Sequence, residues 1–234
     1  MSAKFKDIIL LIPAYNPDHK LVDLIVELHL RFETIIIVND GSKSTALTFF
    51  EQVKSYGCLV LEHKENMGQG AAFKTALKYI EAHYSDQIIL GAIIADADGQ
   101  HLPKDILRLT EAFENNSTDY FITIRQFTKD IPLRSYIGNK SISFLVKTLF
   151  GKYIPDCQSG LRAVPCQYFN VYFSIDENRF NFTIGLLAVL LKKNVPLQFL
   201  PIETVYIDNN KSSHFRPVKD SYETLKTLLK YWRK

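Results

Sequence analysis

The chain has 234 residues, 47% of them hydrophobic, which suffices for one sizeable core and is short enough for a single domain. A formal net charge of +3, with no long run of basic residues, argues against a nucleic-acid partner. Cys58, Cys157 and Cys166 form neither a close metal-ligating pair nor a disulfide framework, which fits a reducing cytoplasm. The polar start, Met1 to Asp7, does not read as a signal peptide, and no apolar run reaches the roughly 18 residues that span a bilayer. A soluble protein is expected, or one attached to a membrane surface.

Ile8 to Ile12 is a short apolar run closed by Pro13-Ala14-Tyr15-Asn16-Pro17, a strand followed by a loop that two prolines keep out of helix. Leu21, Ile25 and Leu28 then repeat at helical spacing. Thr34 to Val38 reads as a second strand, ending in Asn39-Asp40-Gly41-Ser42. A helix from about Ser44 to Tyr56 stops at Gly57, and Cys58 to Leu61 makes a third strand. Glu65-Asn66-Met67-Gly68-Gln69-Gly70 precedes a helix from Ala71 to about His83. This alternation requires a mostly parallel sheet with right-handed crossovers, an α/β fold of the nucleotide-binding type.

Ile88 to Leu102 opens as a nearly continuous apolar run, as expected of a strand covered on both faces, and ends in Asp96, Asp98, Gly99, Gln100 and His101. Burial of the run delivers both carboxylates to the carboxyl edge of the sheet, where open α/β folds bind ligands. The one-residue spacing lets both reach a hard divalent cation, with Gln100 adding a neutral oxygen; an ordinary polar turn capping the next helix is the plain alternative. Pro103 suits the first turn of that helix, which carries Ile106, Leu109 and Phe113. Asp119 to Ile124 reads as a strand ending at Arg125, and Pro132 to Phe150 as a helix stopped by Gly151. Ile154 to Arg162 reads as irregular, followed by a helix from about Phe182 to Lys193 and a strand from Leu197 to Ile202. With no repeat or linker, residues 1–234 read as one domain, ending in a polar, lid-like loop (about 204–217) and a basic amphipathic helix (about 218–234).

Three strand ends thus bring polar clusters to one edge: Tyr15 with Asn16, Asp40, and Asp96 with Asp98. Asp40 reads either as a turn residue or as an acceptor for the imide N–H of uracil or the edge of guanine. Gly68 and Gly70, opening a helix, could bring backbone N–H groups near a phosphate. His101 reads as a helper at the metal or as a cap for the helix beginning near Pro103.

Pro13-Ala14-Tyr15-Asn16, Asn39-Asp40-Gly41-Ser42, Asn66 with Gly68, and Asp96-Ala97-Asp98-Gly99-Gln100-His101-x-Pro103 together resemble family 2 glycosyltransferases of the GT-A fold. Asp156-x-Gln158-Ser159-Gly160-x-Arg162 is similar to the polyprenyl or dolichyl phosphate sugar synthase branch. The resemblance spans nearly the whole chain and implies a nucleotide-sugar donor, UDP- or GDP-linked, and Mg²⁺ or Mn²⁺ held by Asp96, Asp98 and Gln100. It further implies inversion at the anomeric carbon, and a base-binding surface made by Asp40 and Pro13 to Asn16. Arg125, Arg134 and Arg162 are the candidate partners of an anionic polyprenyl phosphate acceptor. Asp156 is either a base for a hydroxyl acceptor or the residue that fixes Arg162 and its loop. Ser213, His214 and Arg216, in the lid-like loop, are candidates to reach the donor diphosphate.

Many members of that branch carry transmembrane helices after the catalytic domain, a feature this sequence does not show. Its last helix, with Leu225, Leu228, Leu229 and Trp232 near Lys226, Lys230, Arg233 and Lys234, reads as a membrane-surface helix or as a core-packing helix with a solvated basic face. The expected location is the cytoplasm, either free or peripheral on the inner face of the cell membrane. Three rivals are carried: transfer to a saccharide or glycoprotein hydroxyl, a non-catalytic nucleotide-sugar-binding partner protein, and a sugar-1-phosphate nucleotidyltransferase. The last is disfavoured because Pro-Ala-Tyr-Asn-Pro stands where a glycine-rich, arginine-containing loop is needed.

Overall fold

The computed structural model describes residues 4–126, 133–179, 181–203 and 217–233, without the side chains of 133–137 and 217–221. In chain order the elements are β1 (Ile8–Ala14), α1 (His19–Leu28), β2 (Ile35–Asn39), α2 (Leu47–Ser55), β3 (Leu59–Glu62), α3 (Gln69–His83), β4 (Gly91–Ile94) and α4 (Pro103–Asn115). Then follow β5 (Tyr120–Arg125), α5 (Leu133–Phe150), β6 (Arg162–Pro165), α6 (Phe169–Phe173), α7 (Phe182–Lys192), β7 (Leu197–Ile202) and α8 (Pro217–Arg233).

The strands form one sheet in the order β3-β2-β1-β4-β6-β5-β7. All pairings are parallel except those of β6, which runs antiparallel to both β4 and β5. Both faces of β1, β2 and β4 are covered, which is why these strands read as apolar runs. Along β1 the side chains alternate: Ile9 and Leu11 join the core under α3, α6 and α7, while Ile8, Leu10 and Ile12 join the core under α1, α2 and α4. At about 2 kcal/mol for each fully buried aliphatic side chain, these five alone contribute on the order of 10 kcal/mol of transfer free energy.

Several boundaries differ from the sequence reading, for physical reasons. β1 continues through Pro13, paired beside Val38 of β2. Leu10 donates its N–H to Thr34 of the β2 side, so by alternation the nitrogen of Pro13 faces β4, where pairing has already ended at Leu11 and Ile94. The central strand is shorter than its apolar run: pairing with β1 begins at Gly91, and Ile88 is exposed ahead of it. The segment from Arg162 is a strand inside the sheet, and α6 follows it; neither was anticipated. The loop at 204–216 lies outside the described residues. Among the described residues no helix is long and apolar enough to cross a membrane.

Candidate functional site

Because β2, β1 and β4 are adjacent and parallel, their carboxyl ends open side by side. The loops after β1 and β2 are stitched together. Asn16, in the left-handed region at φ 49°, donates its N–H to Ser42 Oγ (2.8 Å) and accepts from the Lys43 N–H (2.8 Å). Asn39 Oδ1 accepts from the Ser42 N–H (2.9 Å), and Asp40 N–H donates to Ala14 O (2.9 Å). The result is a fixed shelf from which Tyr15 stands half exposed.

Asp40 is buried, and its carboxylate faces inward. Oδ1 accepts from the Met67 N–H (2.9 Å) and from His63 Nδ1 (2.7 Å); Oδ2 accepts from the Gly68 N–H (2.8 Å). The His63 ring continues to Thr75 Oγ1 of α3 (2.9 Å). Asp40 therefore ties the start of α3 to the β2 end, and any contact with a base would draw on a carboxylate already engaged. Gly70 N–H donates to Asn178 O (2.8 Å), so neither glycine N–H is open to a phosphate in this arrangement. Gly68 has φ 96°, and a Cβ there would collide with the Asn178 carbonyl. Arg179 clamps the same turn, donating to Asn66 Oδ1 (3.1 Å) and O (3.0 Å).

Asp96 and Asp98 stand just past β4. Gln69 Nε2 donates to Asp96 Oδ1 (2.9 Å), and the Asp96 N–H donates to His101 Nδ1 (2.9 Å). Since Nδ1 accepts, the proton of the neutral His101 ring sits on Nε2, which faces Asp96 Oδ2 at 3.8 Å. His101 thus orients Asp96 and is not the cap of α4, whose N-terminus has no side-chain cap. The Asp96 carboxylate rests directly on Gly160, whose missing side chain makes room for it. Asp98 accepts the Gln100 N–H (2.9 Å). Its carboxyl, open to solvent yet crowded by protein atoms, is held above the usual range first by that desolvation and then by the Asp96 charge.

Two like charges held together in this way favour a cation. Among the described residues no third His, Cys, Asp or Glu completes a protein-only cage. The donor set, two hard oxygens at an open strand end, fits a divalent ion that shares its coordination shell with a phosphate.

On the other side of β4, the Asp156 to Arg162 segment is a brace. Asp156 is fully buried and pairs in bidentate fashion with Arg125 at the end of β5 (Nε–Oδ2 2.7 Å, Nη2–Oδ1 3.0 Å), while also accepting the Gln158 N–H (3.1 Å). The arginine that Asp156 fixes is Arg125 and not Arg162. Ser159 Oγ meets Thr123 Oγ1 of β5 at 2.5 Å. Arg162, 3% exposed at the first position of β6, donates Nε–H to Ser159 O (3.0 Å), and its buried Nη2 has no partner among the described residues. Arg162 stands opposite Ile94, the last residue of β4, and lines a small cavity with Gln69 and Gly160, so it lies beneath the Asp96 side of the site and not at the surface. Arg134 lies on α5 with its side chain outside the description; His214 and Arg216 lie outside the described residues.

Residues not singled out from sequence, Gln69, His63, Asn178 and Arg179, turn out to hold the strand-end loops. Only Gln69 carried a signal, by standing between the two glycines.

The strand order, the antiparallel β6 and the helices on both faces are those of the GT-A fold. Structures of glucosyl-3-phosphoglycerate synthase from Mycobacterium tuberculosis share it. The complex with UDP matches with a TM-score of 0.68 at 14% identity over 97% of this chain and 80% of that one. The complex with Mn²⁺, UDP and phosphoglyceric acid gives 0.68 at 15% identity over 96% and 78%. A UDP-N-acetylglucosamine–dolichyl-phosphate N-acetylglucosaminyltransferase of Methanococcus voltae is 30% identical over 226 residues, 87% of each chain. The family model described as Glycosyl transferase family 2 matches residues 9–173, and the chain belongs to that family: it is a glycosyltransferase.

Proposed function

We propose that this glycosyltransferase moves a sugar from a UDP- or GDP-linked donor to a polyprenyl phosphate, with inversion, as a single catalytic unit at the cytoplasmic face of a membrane. The observation that carries the reading is the pair Asp96, oriented by Gln69 and His101, and Asp98, bonded by the Gln100 N–H, beside the stitched loops of β1 and β2. Asp96 and Asp98, with Gln100, hold Mg²⁺ or Mn²⁺, which when bound offsets the charge that develops on the nucleoside diphosphate leaving group. Pro13, Ala14, Tyr15, Asn16 and Asp40 form the shelf for the base; Asn66, Gly68 and Ala97 line the donor side, and His214 and Arg216, outside the described residues, are the further donor-binding candidates.

Asp156 favours a phosphate acceptor over a hydroxyl. A hydroxyl needs a general base facing the sugar, whereas a phosphate is already anionic at neutral pH and needs cations to position it. With both carboxylate oxygens bound to Arg125 and no exposure, Asp156 is suited to aligning that guanidinium, not to taking a proton. Arg125, fixed in plane, and Arg134 on the neighbouring helix then receive the acceptor phosphate. The similarity to a dolichyl-phosphate transferase points the same way.

The test is a panel of UDP- and GDP-sugars with Mn²⁺ and undecaprenyl phosphate, scored for lipid-linked product. One donor should give product that is lost in Asp98→Ala. Transfer to a free saccharide, with none to the lipid phosphate, would overturn the acceptor assignment.

A further inference from the structure

The helices α5 and α8 pack against each other and against α7, on the face of the sheet that carries α3. An amphipathic helix in a water-soluble protein turns its apolar side inward. In α8 the inward side chains are Thr224, Thr227, Leu228 and Tyr231. The outward stripe is Tyr222 (64% exposed), Leu225 (37%), the half-buried Leu229 and Trp232 (48%), at intervals of three and four residues, with exposed Lys226 and Arg233 alongside. Only Leu228 of the four apolar residues noted from sequence goes into the core, so core packing does not explain the stripe.

The neighbouring helix repeats the pattern. Phe144 of α5 is 70% exposed between exposed Lys140 and Lys147. Just beyond the helix the exposed Tyr153 holds Lys140, whose Nζ lies 3.0 Å from its hydroxyl and 5.7 Å from its ring centroid. Residues 133–153 contain Arg134, Lys140, Lys147 and Lys152 and no acidic residue. Residues 217–234 add Lys219, Lys226, Lys230, Arg233 and Lys234 against Asp220 and Glu223, with Lys230 engaged by Asp176 and Glu177, while the rest of the chain is net acidic. Single exposed apolar residues are ordinary; aromatic rings interleaved with cations, in the two segments where the chain's positive excess collects, are not.

We infer that the joint outer face of α5 and α8 adsorbs to an anionic lipid surface, its rings and Leu225 at headgroup depth and its lysines and arginine against lipid phosphates. Its meaning for catalysis rests on the polyprenyl phosphate reading above. Asn139 of α5 donates to Pro155 O (2.9 Å) and accepts from the Cys157 N–H (3.4 Å), so the adsorbed helix is bonded on both sides of Asp156 and holds the Arg125 end of the sheet near the membrane.

The experiment is co-sedimentation of the purified chain with phosphatidylcholine vesicles and with vesicles containing about 30 mol% phosphatidylglycerol. Binding should be strong only to the anionic vesicles and fall as salt approaches about 1 M. The triple variant Phe144→Ala/Leu225→Ala/Trp232→Ala should bind at least about tenfold more weakly. It should keep its circular dichroism and its rate with a short-chain prenyl phosphate in detergent. Equal partitioning into both vesicle types, an unchanged triple variant, or a dimer in solution that the triple variant dissolves would each overturn the inference, the last by assigning the face to a second copy. Vesicle binding by a protein that glycosylates no lipid phosphate would leave the inference standing and remove the acceptor reading instead.

Discussion

Gly160 separates site geometry from stability. A Cβ there meets only the far end of the Asp96 side chain, so Gly160→Ala should fold normally while forcing the carboxylate to turn away. We expect Mn²⁺ affinity to fall by about 10- to 100-fold, measured by calorimetry, with little change in Tm. Asp156 and Arg125 should behave as one unit. In a double-mutant cycle with Asp156→Asn and Arg125→Gln, thermal denaturation should show coupling of about 1–3 kcal/mol, since each single change strands the other buried or half-buried group. If Asp156 were a base, Asp156→Asn would instead remove the acid limb of the pH–rate profile with stability intact. The thiols give a third check. Burial pushes Cys58 and Cys157 up to about 12, whereas Cys166 is exposed, so one thiol should alkylate quickly in the native protein and two only on unfolding. Of these residues the sequence made Asp96 and Asp98 legible, because burial of β4 dictates where they emerge. The partner of Asp156 was not legible: that pairing joins positions 31 apart in the chain and depends on where β6 inserts.

At the scale of elements, a chain of polar contacts runs from the C-terminal helix to the site. Lys230 and Tyr231 of α8 hold Glu177, while Lys74 of α3 holds Ile175 O (2.6 Å) and Asn178 Oδ1 (2.7 Å). Asn178 and Arg179 in turn clamp the Asn66 to Gly70 turn. Burial alone would raise the Glu177 pKa, but the hydrogen bonds from Lys230 and Tyr231 outweigh it and hold the carboxyl below its ordinary value of 4.5. A carboxyl depressed by folding stabilises the protein above its unfolded pKa, and that stabilisation disappears as pH falls through the folded value. Glu177→Gln should therefore cost about 1 kcal/mol at pH 7 and progressively less below about pH 4, as read from urea unfolding at each pH. α7 and β7 were readable at nearly their observed bounds, and α4 at its start. β6 was not: four residues beginning with a buried arginine and ending in proline give neither an apolar run nor an alternation. Its place in the sheet comes from long-range antiparallel pairing with β4 and β5.

For the molecule as a whole, the order β3-β2-β1-β4-β6-β5-β7 sorts the chemistry. The β1, β2 and β4 ends carry the shelf and the carboxylates, and the β5 end beyond β6 carries Arg125. The antiparallel β6 lets the Asp156 to Gly160 segment enter at that same edge and brace both halves at once, one end on Arg125 and the other under Asp96. Alternation of strands and helices in the sequence foretold the edge, but not how its two halves are joined. The central claim is that a cation at Asp96 and Asp98 couples the protein to the donor diphosphate. It is tested most directly by calorimetric titration of UDP and GDP into the wild type and Asp98→Ala, with Mn²⁺ and with EDTA. The account predicts that one nucleotide binds the wild type tightly with Mn²⁺, at least about tenfold more weakly in EDTA, and equally weakly to a folded Asp98→Ala in either condition. Equal affinity across all four conditions would contradict it.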